Sequence, residues 1–164
     1  MGMVSEDRKI EGLALSLSIA DNLTLSSLGT FVNPAGQAEA SRRWIKRLAI
    51  RCREPQQPVG NLSGGNQQKV AISRLLEHGV DVLLLDEPTR GIDVGAKAMI
   101  YRVIDELACE GKAVLIVSSY LPELLGICDR IAVMCKGHLH RARSVSEINE
   151  HEIMVEATAT KEAP

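Results

Sequence analysis

The segment Asn61-Leu62-Ser63-Gly64-Gly65-Asn66-Gln67-Gln68-Lys69 opens a strongly helical stretch. Seventeen residues past Lys69 an apolar run, Val82-Leu83-Leu84-Leu85, ends in Asp86-Glu87-Pro88. A helix start presents unsatisfied N–H groups and the positive end of a dipole, and glycines let a phosphate approach the backbone closely. Ser63 can donate its hydroxyl to the same anion. Four apolar residues in a row suit a parallel strand buried on both faces. The acidic pair that follows emerges at the strand's carboxyl edge, where open α/β sheets bind ligands. Asp86 suits Mg²⁺ held through water, and Glu87 suits the polarising of an attacking water in phosphoryl transfer. Alone, Ser63-Gly64-Gly65 reads better as an N-cap and loop, and Asp86-Glu87-Pro88 equally well as an acidic turn. Their order and the longer string favour the phosphate and metal reading.

Other function classes are harder to reconcile with the composition. A length of 164 residues suits one domain with a sizeable core. A net charge of −2 offers no electrostatic footprint for nucleic acid. Aromatics make up 2% (Phe31, Trp44, Tyr101, Tyr120), too few for base-stacking platforms. Cys52, Cys109, Cys128 and Cys135 contain no C-x-x-C pair and read as free thiols packed as small apolar side chains. No signal peptide pattern and no apolar run of about 18 residues occurs, so a soluble, cytosolic chain is expected. Any membrane role would require docking onto a separate membrane protein.

Along the chain, residues 1–13 read as a short strand stub and a charged loop. Residues 14–79 read as a helical piece. Ser18-Ile19-Ala20-Asp21 predicts a capping box for a helix reaching about Leu28, and Pro34 the first turn of a second helix. Trp44, Ile45, Leu48 and Ala49 share one face of that helix, with Arg42, Arg43, Lys46 and Arg47 around the other; Pro55 and Pro58 end it. Residues 80–143 read as half of an α/β sheet. They hold buried strands at 82–85, 113–117 and 130–134, a helix through Ile100, Val103, Ile104 and Leu107 that Gly111 ends, and a short helix from Pro122 to about Ile127. Lys136-Gly137 predicts a turn into a hairpin partner at Leu139. Residues 144–164 form a weakly helical tail.

Asp93 reads as the N-cap of the helix from Val94, and as a contact across an interface. Ser118-Ser119 reads as an ordinary strand-to-helix junction. His138-x-His140 could bind a metal but lacks a third ligand, which favours an exposed hairpin.

On Ser5-Glu6-Asp7-Arg8-Lys9, Leu62 to Lys69, Leu85 to Pro88, Thr89-Arg90-Gly91-Ile92-Asp93-Val94-Gly95-Ala96-Lys97 and Ser118-Ser119-Tyr120-Leu121-Pro122-Glu123, the chain resembles an ABC ATPase domain. Among these it is most similar to the second cassette of tandem ATPases serving bacterial monosaccharide importers of the ribose, galactose and xylose type. The resemblance implies an α/β fold: the carboxyl-terminal part of a P-loop NTPase domain with a RecA-like parallel sheet and a helical signature subdomain. It implies that Ser63, Gly64, Gly65 and Asn66 form the signature that closes over the γ-phosphate held by an opposite cassette. By the same likeness Asp86 binds Mg²⁺, Glu87 is the catalytic carboxylate, Asp93 is the D-loop residue, and Glu6 stands at the Q-loop glutamine. Ser119 stands at the switch histidine, a degenerate position that weakens catalysis at this cassette's own site.

No G-x-x-x-x-G-K-[ST] occurs in the sequence. Without a P-loop cradle most nucleotide affinity is lost. The strands around Val82 and Val114 would also lack neighbours, leaving apolar faces uncovered. The expectation is therefore an N-terminally truncated cassette lacking the Walker A strand and helix, an ATPase by family but inactive alone. In full-length context it would use ATP and Mg²⁺, pair with a second cassette and a transmembrane permease, bind no nucleic acid, and act at the inner face of the cell membrane. An alternative is a non-catalytic module that lends its signature to an intact cassette.

Overall fold

The computed structural model describes residues 1–27 and 33–159, in two compact units that divide between Val117 and Ser118. In the first unit three parallel strands, β1 (Gly2–Val4), β2 (Val82–Asp86) and β3 (Ala113–Val117), lie in the order β1-β2-β3. The register aligns Met3, Leu84 and Leu115, so these three share one face and Val4, Leu85 and Ile116 the other. Helices α3 (Gly64–Glu77) and α4 (Val94–Cys109) pack beside the strands. Leu83 and Leu85 are fully buried, and Ile100, Val103, Ile104 and Leu107 of α4, the residues the helical period selected, are buried.

Burial on both faces does not hold for these strands. Leu115 is 60% and Val117 57% exposed, and Met3 and Val82 are exposed beside them. One face of the sheet is thus apolar and open.

The helical part is built from α1 (Ile19–Thr24), α2 (Pro34–Arg47) and α3. At α1 the Ser18 hydroxyl accepts from the Asp21 N–H at 3.0 Å, and the Asp21 carboxylate accepts from the Ser18 N–H at 3.3 Å, so the capping box forms as read. The helix stops at Thr24 and tightens into a 3₁₀ turn over Leu25–Ser27; Leu28, Phe31 and residues 160–164 lie outside the described residues. Ile19 and Leu23 sit fully buried among Trp44, Val70 and Ile72, giving an aliphatic core with one indole.

Helix α2 ends earlier than its apolar spacing suggests, at Arg47 rather than near the prolines. Ala49 adopts a left-handed backbone (φ 47°) and is exposed, while Ile50 turns inward and is buried. The chain then runs through residues 51–58, and Val59 and Gly60 donate back to the Leu17 and Leu15 carbonyls. These bonds fix the approach to Ser63.

Residues 5–13 are more ordered than a loop: Asp7 caps a π-helical turn over Arg8–Gly12, accepting from the Lys9 and Ile10 N–H groups.

The second unit begins with α5 (Leu121–Ile127), which starts one residue before Pro122. The expected single strand at 130–134 is two pieces. β4 (Arg130–Ile131) pairs antiparallel with β7 (Arg143–Ser144), and β5 (Met134–Cys135) pairs with β6 (His138–Leu139) across the Lys136-Gly137 turn. Both turn residues take positive φ, 46° and 80°, the geometry of a tight two-residue hairpin. Ile131, Val133, Ile148 and Ile153 form this unit's core, lined by Leu121, Leu124 and Leu125. The tail holds a defined helix, α6 (Glu150–Thr158), with its own capping box between Asn149 and Glu152. All four cysteines are free thiols; none is fully buried, and Cys109 is exposed.

Candidate functional site

Ser63 occupies the N-cap of α3 with extended backbone, yet its side chain makes no capping bond to its own helix. Asn66 accounts for this. Its Nδ2 donates to Ser63 Oγ at 2.9 Å, and its Oδ1 accepts from the Arg51 backbone N–H at 2.9 Å. Asn66 thereby clamps the exposed Ser63 to the preceding loop, and the Ser63 hydroxyl keeps its own proton to donate. The first-turn N–H groups of a helix have no intrahelical acceptor. The arrangement can hold an anion through a hydroxyl and backbone donors.

The two glycines differ in role. Gly65 is buried, and a Cβ there would sit 2.5 Å from Ala96 Cβ and 3.4 Å from Ile92 Cγ2. Its missing side chain is what allows α3 to start against the first turn of α4. Asp93, exposed at the N-cap of α4, accepts from the Ala96 N–H at 2.9 Å, so the capping reading of this residue holds. Ser63, Gly65 and Asp93 are therefore coupled through two abutting helix starts.

The rest of the motif turns inward, which sequence reasoning missed. Gln67 donates to the Val59 and Leu62 carbonyls, at 3.3 and 3.2 Å. Lys69 is buried and donates to the Ala49 carbonyl at 3.0 Å, tying α3 to the left-handed turn after α2. Burial, with the nearby charge of Arg51, holds its ammonium below the usual lysine pKa.

Asp86 ends β2, half-buried, aligned with Val117 of β3. Glu87 follows with φ 43°, a left-handed conformation that costs a non-glycine residue about 1–2 kcal/mol. Its N–H donates to the Val117 carbonyl at 2.8 Å, and its own carbonyl accepts from the Arg90 N–H at 3.1 Å. This strained turn is where an acidic side chain is re-aimed at the carboxyl edge of a sheet; such outliers gather at functional sites. Glu6 lies just past the end of parallel strand β1, at the same edge, and forms an ion pair with Arg90. No local signal links residues 84 positions apart, so that pair could not be read from the sequence.

In the second unit the Ser118 hydroxyl donates to the buried Glu123 carboxylate at 2.7 Å and accepts from the Tyr120 N–H at 3.1 Å. It is a structural junction. Ser119 is exposed beside it. His138 and His140 are exposed on the second hairpin, as expected of a surface turn.

Two solved structures share this fold. A dimeric post-hydrolysis ATP-binding cassette bound to ADP and Pi matches at a TM-score of 0.72 and 22% identity, covering 88% of this chain and 62% of that one. An inward-facing metal-chelate type ABC transporter matches at 0.74 and 18% identity, covering 87% and 58%. In sequence, the arabinose import ATP-binding protein of Rhizobium meliloti is 48% identical over 158 residues, which is 93% of this chain and 31% of the relative. A ribose import ATP-binding protein of Burkholderia ambifaria is 43% identical over 165 residues, 97% and 33%. The chain thus spans about a third of the length of the curated relatives it matches. The ABC transporter family model matches residues 1–90, the stretch that runs from β1 through the clamped start of α3 to the strained acidic turn. By that match and by its fold, this chain belongs to the ABC transporter family of ATP-binding cassettes.

Proposed function

We propose that the chain works within an ATP-hydrolysing subunit of a carbohydrate importer, and that its Ser63–Asn66 segment completes a nucleotide site on a second cassette. The carrying observation is the clamp of Asn66 on Ser63, which leaves a hydroxyl and the first-turn N–H groups of α3 for a phosphate. The relatives' names, import of arabinose and of ribose, support the substrate class.

In this reading Asp86 would hold Mg²⁺ through water and Glu87 would orient and polarise the attacking water. The half-buried acidic pair on a rigid strand end fits a hydrated divalent cation. Bound magnesium ATP would supply the scissile phosphoanhydride and neutralise its developing charge. Arg90 would keep Glu6 at this edge. Gly64 and Gly65 would bring the backbone to the phosphate, and Asp93 would meet the partner cassette. Ser119, a hydroxyl in place of an imidazole, would serve the site of Asp86 and Glu87 poorly, so the signature half contributes most to turnover. The partners are a second cassette and a membrane-spanning permease, at the cytoplasmic face of the cell membrane. No helix among the described residues is long and apolar enough to cross a membrane.

The test is complementation. A P-loop-bearing cassette disabled in its own signature is mixed with this chain, and phosphate release is followed. ATP hydrolysis is expected to rise on mixing and to fall about tenfold or more with Ser63→Ala, the loss of one charge-assisted donor. No rise with the unaltered chain would sink the reading.

A further inference from the structure

The β4–β7 pair of the second unit brings Arg130 opposite Ser144 and Ile131 opposite Arg143. Arg130, Arg141, Ala142, Arg143, Ser144 and Glu147 line a concavity of about 400 Å³ around this pair. Three of the lining residues are arginines, and positive charge gathered on one surface favours an anion beside it. Arg143 is compensated: it pairs with Glu156 and, at 3.9 Å, with Glu152. Arg130 donates to the Ala142 carbonyl at 3.0 Å, which orients its guanidinium without neutralising it. Arg130 and Arg141 have no carboxylate partner among the described residues, and neither does Glu147.

We propose that this concavity binds a phosphate group carried by a small hydroxylated molecule. A guanidinium fork matches phosphate oxygens bidentately, which an ammonium does not, and here two uncompensated forks line one surface, one of them already oriented. Ser144 adds a hydroxyl, which exchanges a 2.8 Å hydrogen bond with Ser146. Glu147 would repel a bare phosphate, yet its carboxylate is an acceptor with no protein donor among the described residues. Hydroxyl groups on the ligand supply the missing donors and make the mixed lining coherent. A hydroxylated phosphate rather than a plain polyanion therefore fits this charge pattern. The same chemistry occurs in free phosphate monoesters of polyols and in the glycerol-bearing headgroup of an anionic lipid. All residues of the site belong to the second unit, and none of them is one that the ATP reading uses.

The experiment titrates the full chain with glycerol 3-phosphate, with inorganic phosphate, and with vesicles of phosphatidylglycerol against phosphatidylcholine, reading amide chemical shifts of residues 129–147. Saturable shifts with glycerol 3-phosphate support a free metabolite, and shifts with phosphatidylglycerol vesicles alone support a headgroup. Arg141→Gln, at an exposed position, should weaken either by about tenfold, the size of one hydrogen bond to a charged group. Glu147→Gln should weaken glycerol 3-phosphate while leaving inorganic phosphate unchanged or tighter, a split that general loss of structure would not produce. No shift with any probe up to about 10 mM, an affinity below the weakest specific class, overturns the proposal. So does binding that Arg141→Gln leaves intact.

Discussion

Asn66 donates to Ser63 Oγ at 2.9 Å while its carbonyl oxygen takes the Arg51 N–H, so one amide side chain both turns a serine outward and anchors the loop before it. The two functions separate by substitution. Asn66→Asp retains the acceptor for Arg51, loses the donor to Ser63 and adds negative charge beside the helix start. Its urea midpoint should shift by less than the equivalent of about 0.5 kcal/mol. Stimulation of a partner cassette should nevertheless fall further than in Asn66→Ala. The reverse order, with Ala the poorer stimulator, would contradict the anion reading.

Gly65→Ala should destabilise the first unit by about 1–3 kcal/mol through overpacking, because the added methyl lands on Ala96. Ala96→Gly in the same chain makes room and should recover part of the loss. A double-mutant cycle by urea denaturation reads this as a favourable coupling between the two positions. Strict additivity would mean that the helices separate freely.

The buried Lys69 ammonium titrates below the usual lysine pKa, chiefly from desolvation. Between its folded value and the ordinary one, the unfolded chain binds more protons, so stability rises with pH across that alkaline window. Below the window both states are protonated and the full penalty is present. Lys69→Met should flatten the rise, measured as the change in urea midpoint between neutral and alkaline buffer. Parallel pH profiles for the two proteins would count against the assignment.

Burial, then the charges of Asp129 and Glu123, hold the Cys128 thiol protonated above its ordinary pKa. Iodoacetamide at mildly alkaline pH should therefore modify exposed Cys109 well before Cys128, read by peptide mass spectrometry. Glu123→Gln removes one of the charges and should narrow the gap; equal rates in the unaltered chain would refute the shift.

Ser18→Ala removes one arm of the α1 capping box and should cost about 1 kcal/mol. Thermal unfolding would show the loss, and Ser18→Thr, which keeps the hydroxyl, should restore most of it.

What could be read from the residues was whatever depends on near neighbours. The Ser18 capping box, the buried stripe of α4, the apolar run ending in Asp86 and the Asp93 cap all lie within a few positions of their signals. What escaped depends on distant partners. Lys69 is spaced as an ordinary helix residue, and only the turn at Ala49 shows why it is buried. The apolar stretch at 131–134 looks like one strand. Its ends join different antiparallel partners while Ile131 and Val133 fill one core. The glycines of the motif read as room for a phosphate, but Gly65 also makes room for a helix 31 residues away.

The fit of Gly65 against Ala96 also bears on how such sequences can drift. The pair has space for one methyl group in all, so the two positions cannot change independently. Lineages that keep glycine at 65 are free to hold alanine at 96, and a larger residue at either place demands a compensating step at the other. Descent should therefore preserve the pair as a unit even in branches that have given up hydrolysis, because the constraint comes from packing rather than from chemistry.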